Sequence, residues 1–274
     1  MDIIDENEIR NAITRSGYLL EGRIIKKLAV NDYYILPSER YSDPRTGVDR
    51  EIDVIGISAM IKKKIGATEA RLNHELIIEC TNNPQPIVFF KIGEKEKFIE
   101  THLPFSSWST YGEAGVVAKL RAASDFELTN SKNYFIAETP SVQYCSFVQK
   151  KGTKEWMALH PDEVHSMMIK FKDYLEQRIT SYDSLYETPK EDVFRHILFR
   201  MVWVTTNDLY LASEDNGDVV LTKKNLIFYL HKFSDKNTVR DIIVDVVSEN
   251  YFDTYLDLNK EVDIRLANKM ATWN

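Results

Sequence analysis

The sequence predicts an α/β protein: helices at the amino terminus, a sheet after them, and a strand-rich carboxy-terminal extension. Three observations carry this. Between Tyr18 and Ala29, Leu20, Ile24, Ile25 and Leu28 fall at helical spacing. Glu51-Ile52-Asp53-Val54 alternates acidic and apolar residues, the period of a half-buried strand. Beyond residue 190, apolar runs at Ile197–Val204, Leu209–Ala212, Asn225–Leu230 and Asp241–Val247 read as further strands.

Composition sets the outer bounds. With 274 residues, 43% of them hydrophobic and 28% charged, the chain buries a core without difficulty. The opening Met1-Asp2-Ile3-Ile4-Asp5-Glu6 has no basic stretch leading into an apolar one, and no apolar run approaches a membrane span. Cys80 and Cys145 are the two cysteines, both within apolar runs and without metal-like spacing. Two reduced thiols in a cytoplasmic protein are the expectation. The net charge of −7 lowers the prospect of tight, non-specific binding to nucleic acid unless the signs are segregated.

In chain order, a short helix over Asp5–Arg15 is interrupted at Ser16-Gly17 and followed by the helix Tyr18–Ala29. Tyr33–Leu36 reads as a strand, Asp43-Pro44-Arg45-Thr46-Gly47 as a turn, and Asp49–Gly56 as the antiparallel partner. Lys62-Lys63-Lys64 and Arg71-Leu72-Asn73 read as a long hairpin turn before a third strand, Glu75–Thr81. Ile87–Phe90 is too short and apolar to be anything but buried, and Lys91–Lys97 is a charged tract. Leu103–Ser109 reads as irregular, Glu113–Ala123 as a helix and Ser141–Val148 as a strand. A helix over Asp162–Ile179 buries Val164, Met167, Met168, Phe171 and Leu175. Asn207-Asp208 is the turn of an apparent hairpin, and a helix over Tyr251–Met270 finishes the chain. A core over 1–160 and an extension over 161–274, packed as one domain, is the expected organisation.

The chemistry-bearing residues lie in the first half. Side chains alternate faces along a strand, so Glu79 shares a face with Ile77 and Thr81, while Ile78 and Cys80 point the other way. Asp53, on the neighbouring strand, brings a second carboxylate to that face. Two such carboxylates repel unless something neutralises them, and hard oxygen donors suit magnesium or manganese. Glu21 lies beside the apolar stripe of its helix, either at its rim or aimed into a polar site.

A helix with Glu21, a strand with Asp53 and a following strand with Glu79-Cys80-Thr81 together resemble the PD-(D/E)xK nuclease superfamily, which includes Holliday-junction resolvases. The resemblance covers the first half of the chain, on a short and degenerate motif. It implies a restriction-endonuclease-like fold, a mixed β-sheet core flanked by helices. It also implies a metal-dependent endonuclease acting on DNA, with magnesium or manganese held by Asp53, Glu79, the Cys80 carbonyl oxygen and Glu21. A homodimer or a protein partner stays open.

One position departs from the family pattern. Where the family carries its lysine, this chain has Thr81, whose hydroxyl can hold a water but has no charge. Three outcomes follow: slow cleavage, a cation reaching the site from elsewhere, or a fold that kept binding and lost cleavage. Lys91 is the nearest sequence candidate for the cation, and Gln143 offers an uncharged contact. Lys62-Lys63-Lys64 and Lys150, Lys151 and Lys154 read either as phosphate contacts or as solubilising hairpin tips. His160 and His165 read as structural, and Trp108, Trp156, Trp203 and Tyr144 as core aromatics. No glycine-rich phosphate loop is present, which argues against a nucleotide hydrolase.

Overall fold

The alternating segment from Asp49 onward is a strand of a large mixed sheet, second from one edge. The computed structural model describes residues 4–65, 68–82, 85–91, 106–110, 140–160, 162–187, 193–233 and 242–271. Among these, helices α1 (Glu6–Arg15) and α2 (Tyr18–Val30) lead into strands β1 (Tyr34–Ser42), β2 (Asp49–Ile57), β3 (Ile61–Ile65), β4 (Thr68–Thr81) and β5 (Ile87–Lys91). Then come β6 (Ser106–Ser109), β7 (Ser141–Gln149), β8 (Trp156–Leu159) and helix α3 (Asp162–Leu185). Strands β9 (Val193–Thr205), β10 (Leu209–Asp215), β11 (Asp218–Lys224), β12 (Leu226–His231) and β13 (Ile242–Ser248) precede the last helix, α4 (Phe252–Ala271).

The sheet runs β1-β2-β4-β9-β13-β12-β7-β5-β10-β11, with β3 beside β4, β6 beside β9 and β8 beside β7. β4 pairs antiparallel with β2 and parallel with β9, so the sheet is mixed at β4. Strands from before and after residue 160 interleave: β9 lies between β4 and β13, and β5 between β7 and β10. Helices cover both faces. On one face Leu20, Ile24 and Leu28 of α2 and Phe252, Tyr255 and Leu256 of α4 pack on Val54, Leu76, Ile78 and Cys80. On the other, Met167, Met168 and Phe171 of α3 join Ile55, Ile77, Met201 and Trp203 in one core. Gly56 in β2 lets α2 approach closely, since a Cβ there would lie 3.0 Å from a Leu28 methyl carbon. No helix among the described residues is long and apolar enough to cross a membrane.

Four local expectations are corrected. Lys62-Lys63-Lys64 is not a turn but strand β3, paired residue by residue with Glu69–Arg71, and Arg71–Asn73 lies within β4. Lys62 and Lys64 are exposed there, as lysines are on strands with solvent on one side. The hairpin expected across Asn207-Asp208 does not form: β9 joins β4 and β13, and β10 joins β5 and β11. The turn bonds outward instead, the Asp208 carbonyl accepting from the Ile87 N–H at 3.0 Å and the Asn207 amide donating to the Gln85 carbonyl. Ser106–Ser109 is strand β6, antiparallel to β9. The helix from Asp162 runs on to Leu185. The expected helix 113–123 and the charged tract 92–97 lie outside the described residues.

Two buried acids dock α3 on β4. Glu75, fully buried, accepts from Arg178 at 2.9 and 3.1 Å and from the Tyr182 hydroxyl. Glu79, four residues along the same face, accepts from Lys170. The spacing matches, because eight helical residues rise about 12 Å and four strand residues span about 13 Å. A third tie joins the β1–β2 turn to the helix: Arg45 bonds the buried Asp173 at 2.6 Å, while Arg50 bonds the buried Asp43 at 2.6 Å. The opposite face has its own buried network. There the Tyr33 hydroxyl meets His74 Nε2 at 2.8 Å, and His74 Nδ1 pairs with Asp263 of α4.

Arg178→Met leaves the Glu75 carboxylate buried beside Tyr182 alone. The expected loss of unfolding free energy is about 3 kcal/mol, read from the midpoint of urea denaturation at unchanged slope. A loss below about 1 kcal/mol would show that the charge of Glu75 does not depend on Arg178.

Candidate active site

The site forms where β2 and β4 part. Their paired register ends at Val54↔Ile78, which leaves Asp53 and Glu79 as the next residues on the two strands. Instead of continuing the ladder, the Cys80 N–H donates to the Asp53 carboxylate at 2.7 Å. The side-chain pattern shifts at the same point. Ile52 and Ile55 enter one core and Val54 the other, so strict alternation is broken beside Asp53. Opposite it in β1, Ser38 has φ +50°, a left-handed conformation that costs a non-glycine residue free energy and tends to occur where the chain is held for a purpose.

Glu79 is 6% exposed, and both of its oxygens accept from Lys170 Nζ, at 2.7 and 2.6 Å. Thr81, at the family's lysine position, has its hydroxyl oxygen occupied by the Trp203 indole N–H at 2.6 Å. The cation at the site therefore comes from helix α3. Lys91, the sequence candidate, stands at the far end of β5 from Ile87 and pairs in register with Ser141.

Glu21 reaches the cluster from the other side of β4. A Cβ built on Gly17, which precedes α2, would lie 3.4 Å from the Cys80 carbonyl oxygen and 3.5 Å from Glu21 Oε1. The two oxygens thus border one small space. The structure brings Glu21, Asp53, Glu79 and the Cys80 backbone together, with Lys170 added. Gln143 lies on β7, paired with Phe90 of β5 rather than with the strands of the cluster.

The electrostatics follow from this crowding. Burial, the Asp53 charge and the Glu51 charge all raise the Glu21 carboxyl above its ordinary value, against the pull of Lys170. Burial raises Asp53 as well, opposed by the Cys80 N–H and by Lys170. Glu79 is pushed up to about 8 by burial and by Asp53, with Lys170 and an Asp53 backbone hydrogen bond opposing. The Cys80 thiol, buried beneath the same carboxylates, is raised well above its usual range and stays protonated. One lysine therefore leaves a surplus of negative charge.

Among the described residues, no group of three or more His, Cys, Asp or Glu side chains is arranged to hold a metal ion. The donors gathered around Cys80 are nonetheless all hard oxygens. Magnesium is commonly held by one or two carboxylates and keeps several waters. A divalent cation would also relieve the surplus that raises these carboxyls, so the donor chemistry fits such an ion.

A cavity of about 330 Å³ opens beside the Glu79–Lys170 pair, with Thr81, Tyr144 and Trp203 in its wall. Lys170 gave no local sign in the sequence, being 91 residues from Glu79. The usable signal was paired: acids at 75 and 79 within one apolar run, and cations at 170 and 178 bordering one apolar helical stripe. Compared with protein-family models, curated proteins and solved structures, the chain matches none.

The Glu79 shift sets a pH dependence. Folding raises this carboxyl from 4.5 to about 8, so the folded chain binds more protons than the unfolded one between those values. Its contribution to stability is full below about pH 4.5 and is lost as the pH rises through about 8. Asp245, buried on the other face and raised to about 6, acts in the same direction over a lower window. In metal-free buffer the thermal midpoint should fall between roughly pH 6 and 8, above the Asp245 window, and level off beyond, and Glu79→Gln should flatten that fall. An equal fall in the variant would assign it to other groups.

Proposed function

We propose that the chain is a metal-dependent nuclease of restriction-endonuclease-like fold, acting on DNA phosphodiester bonds, with Lys170 in the role that the family gives to its motif lysine. The observation that carries this is the Lys170 ammonium on both oxygens of Glu79, beside Asp53, which the Cys80 N–H holds. The order of elements supports it too: a helix bearing Glu21, then β1, β2 with Asp53 and β4 with Glu79.

Each group has a distinct task. Asp53 is fixed by the Cys80 N–H through Oδ2, which leaves Oδ1 for a ligand. Lys170 offsets charge on the scissile phosphate and orients the attacking water. Its stem is held by α3, whose place on the sheet is set by Arg178–Glu75 and Arg45–Asp173. Asp53, Glu79 and the Cys80 carbonyl oxygen would hold a magnesium or manganese ion, with Glu21 joining directly or through water. Such an ion lowers the pKa of a bound water and stabilises the leaving oxygen.

A second reading has its own support. Lys170 already satisfies both oxygens of Glu79, and the chain carries a net charge of −7. Both features also suit a nuclease fold that binds nucleic acid or a protein partner without cutting.

Activity separates the two. Wild-type protein should cleave DNA with magnesium or manganese, and Asp53→Asn should abolish cleavage. Lys170→Met should slow the single-turnover rate roughly 10²–10³-fold with binding retained. Thr81→Lys should give no gain, because position 81 serves the Trp203 indole and the cation is already supplied. A protein inert towards single-stranded, duplex and branched DNA with either metal would favour the binding module.

A further inference from the structure

The cavity beside the Glu79–Lys170 pair is larger than the phosphate chemistry needs, and its chemistry differs from that of the acid cluster. Its wall is aromatic and aliphatic, formed by Tyr144, Trp203, Ile87 and Met167. Tyr144 and Trp203 are 3% and 2% exposed and meet edge to face with centroids 6.4 Å apart. Phe89 and Tyr229 back them. The wall is therefore rigid, not a set of loose rings. Glu163 and Ser166, both exposed on the first turns of α3, stand at the mouth.

We infer that this cavity takes one unstacked nucleobase of the substrate, next to the phosphate that Lys170 and the metal site would receive. The inference rests on the nuclease reading above and names the substrate class: nucleic acid that is single-stranded or readily unpaired beside the scissile bond.

Size, charge and position converge on that occupant. A volume of about 330 Å³ is at the small end of ligand pockets and admits a single nucleoside, not a stacked duplex. Arg50 and Lys170 line the cavity with Glu79 and Glu163, but each cation already has a carboxylate partner, Asp43 and Glu79, so a second phosphate finds no unpaired charge there, while a neutral ring with an aromatic wall beside it loses nothing to those charges. Anything in the cavity is also adjacent to the Glu79–Lys170 pair, which is where the base attached to a bound phosphate must lie. Enzymes that take a base out of its stack read it with polar groups at the pocket and with flat apolar walls. The Glu163 carboxylate can only accept hydrogen bonds. It therefore favours cytosine, whose exocyclic amino group offers two N–H donors, over thymine, whose one edge donor, N3–H, is flanked by two carbonyl oxygens that a carboxylate repels.

The test uses fluorescein-labelled oligonucleotides and the full chain in calcium, which takes oxygen donors as magnesium does, with the strands checked for integrity after each titration. Wild-type protein should bind a single strand at least roughly 10-fold more tightly than the same strand with an abasic residue beside the bound phosphate, the scale of one base–aromatic stack. Ser166→Trp, which fills the mouth from an exposed position, should remove that difference. Glu163→Gln should narrow the preference for cytosine over thymine at that residue, and it decides the matter if Ser166→Trp fails to fold. Indifference of the wild type to the abasic residue, or an unchanged difference in Ser166→Trp, overturns the pocket while leaving a cleaving protein a nuclease. Failure to bind or cut any nucleic acid in magnesium, manganese or calcium overturns the nuclease reading and the pocket with it.

Discussion

Two buried carboxylates on one face of one strand govern this molecule. A carboxylate removed from water needs a cation and hydrogen bonds, and Glu75 and Glu79 find theirs on a single helix. Arg178 with Tyr182 answers Glu75, and Lys170 answers Glu79. The match between helix rise and strand spacing fixes α3 along β4 to within about one residue. The two pairs differ in what they leave over. Glu75 is closed off, with each oxygen bonded by a group that holds it in place. Glu79 borders Asp53 and a cavity, so its carboxyl remains raised even with Lys170 upon it. The same device thus serves as a lock in the middle of the strand and as a charged site near its end.

Much of the first half of the fold was legible because local patterns there coincide with global burial. Leu20, Ile24 and Leu28 face the sheet as their spacing requires, and Ile77 and Ile78 enter opposite cores as strand alternation requires. Where patterns failed, pairing partners were remote. Ile61-Lys-Lys-Lys-Ile65 carries no strand signal by composition, yet β4 offers it an edge. Asn207-Asp208 has the residues of a tight turn, but its hydrogen bonds go to Gln85 and Ile87, and the flanking strands separate into different parts of the sheet.

The site shows the same division. Glu21, Asp53 and Glu79 could be set in order from the chain alone, since each sits within a strong local pattern. Lys170 could not, because on a helix read by its apolar stripe a lysine at the margin looks like any solvated residue. Only the demand of the acids singles it out. On the proposed function, position 81 is closed to a lysine because Thr81 holds the Trp203 indole N–H, and Trp203 is part of the cavity wall. A lysine at 81 would trade that hydrogen bond for a charge that α3 already provides.

Charge then links the cation to the substrate. Glu21, Glu51, Asp53 and Glu79 stand against one lysine, in a chain that is acidic as a whole. On the proposed function, a phosphodiester brought to this cluster alone meets repulsion, and a divalent ion brought to it displaces protons from the raised carboxyls. On the proposed function, each therefore raises the affinity for the other, and the coupling is reciprocal by thermodynamic necessity. Lys170 sets its size: with the ammonium present the metal-free site is less hostile to phosphate, and with it removed the dependence on the metal steepens. An acidic protein can handle a polyanion on these terms, because attraction is confined to one point and is conditional on the ion that the chemistry also uses.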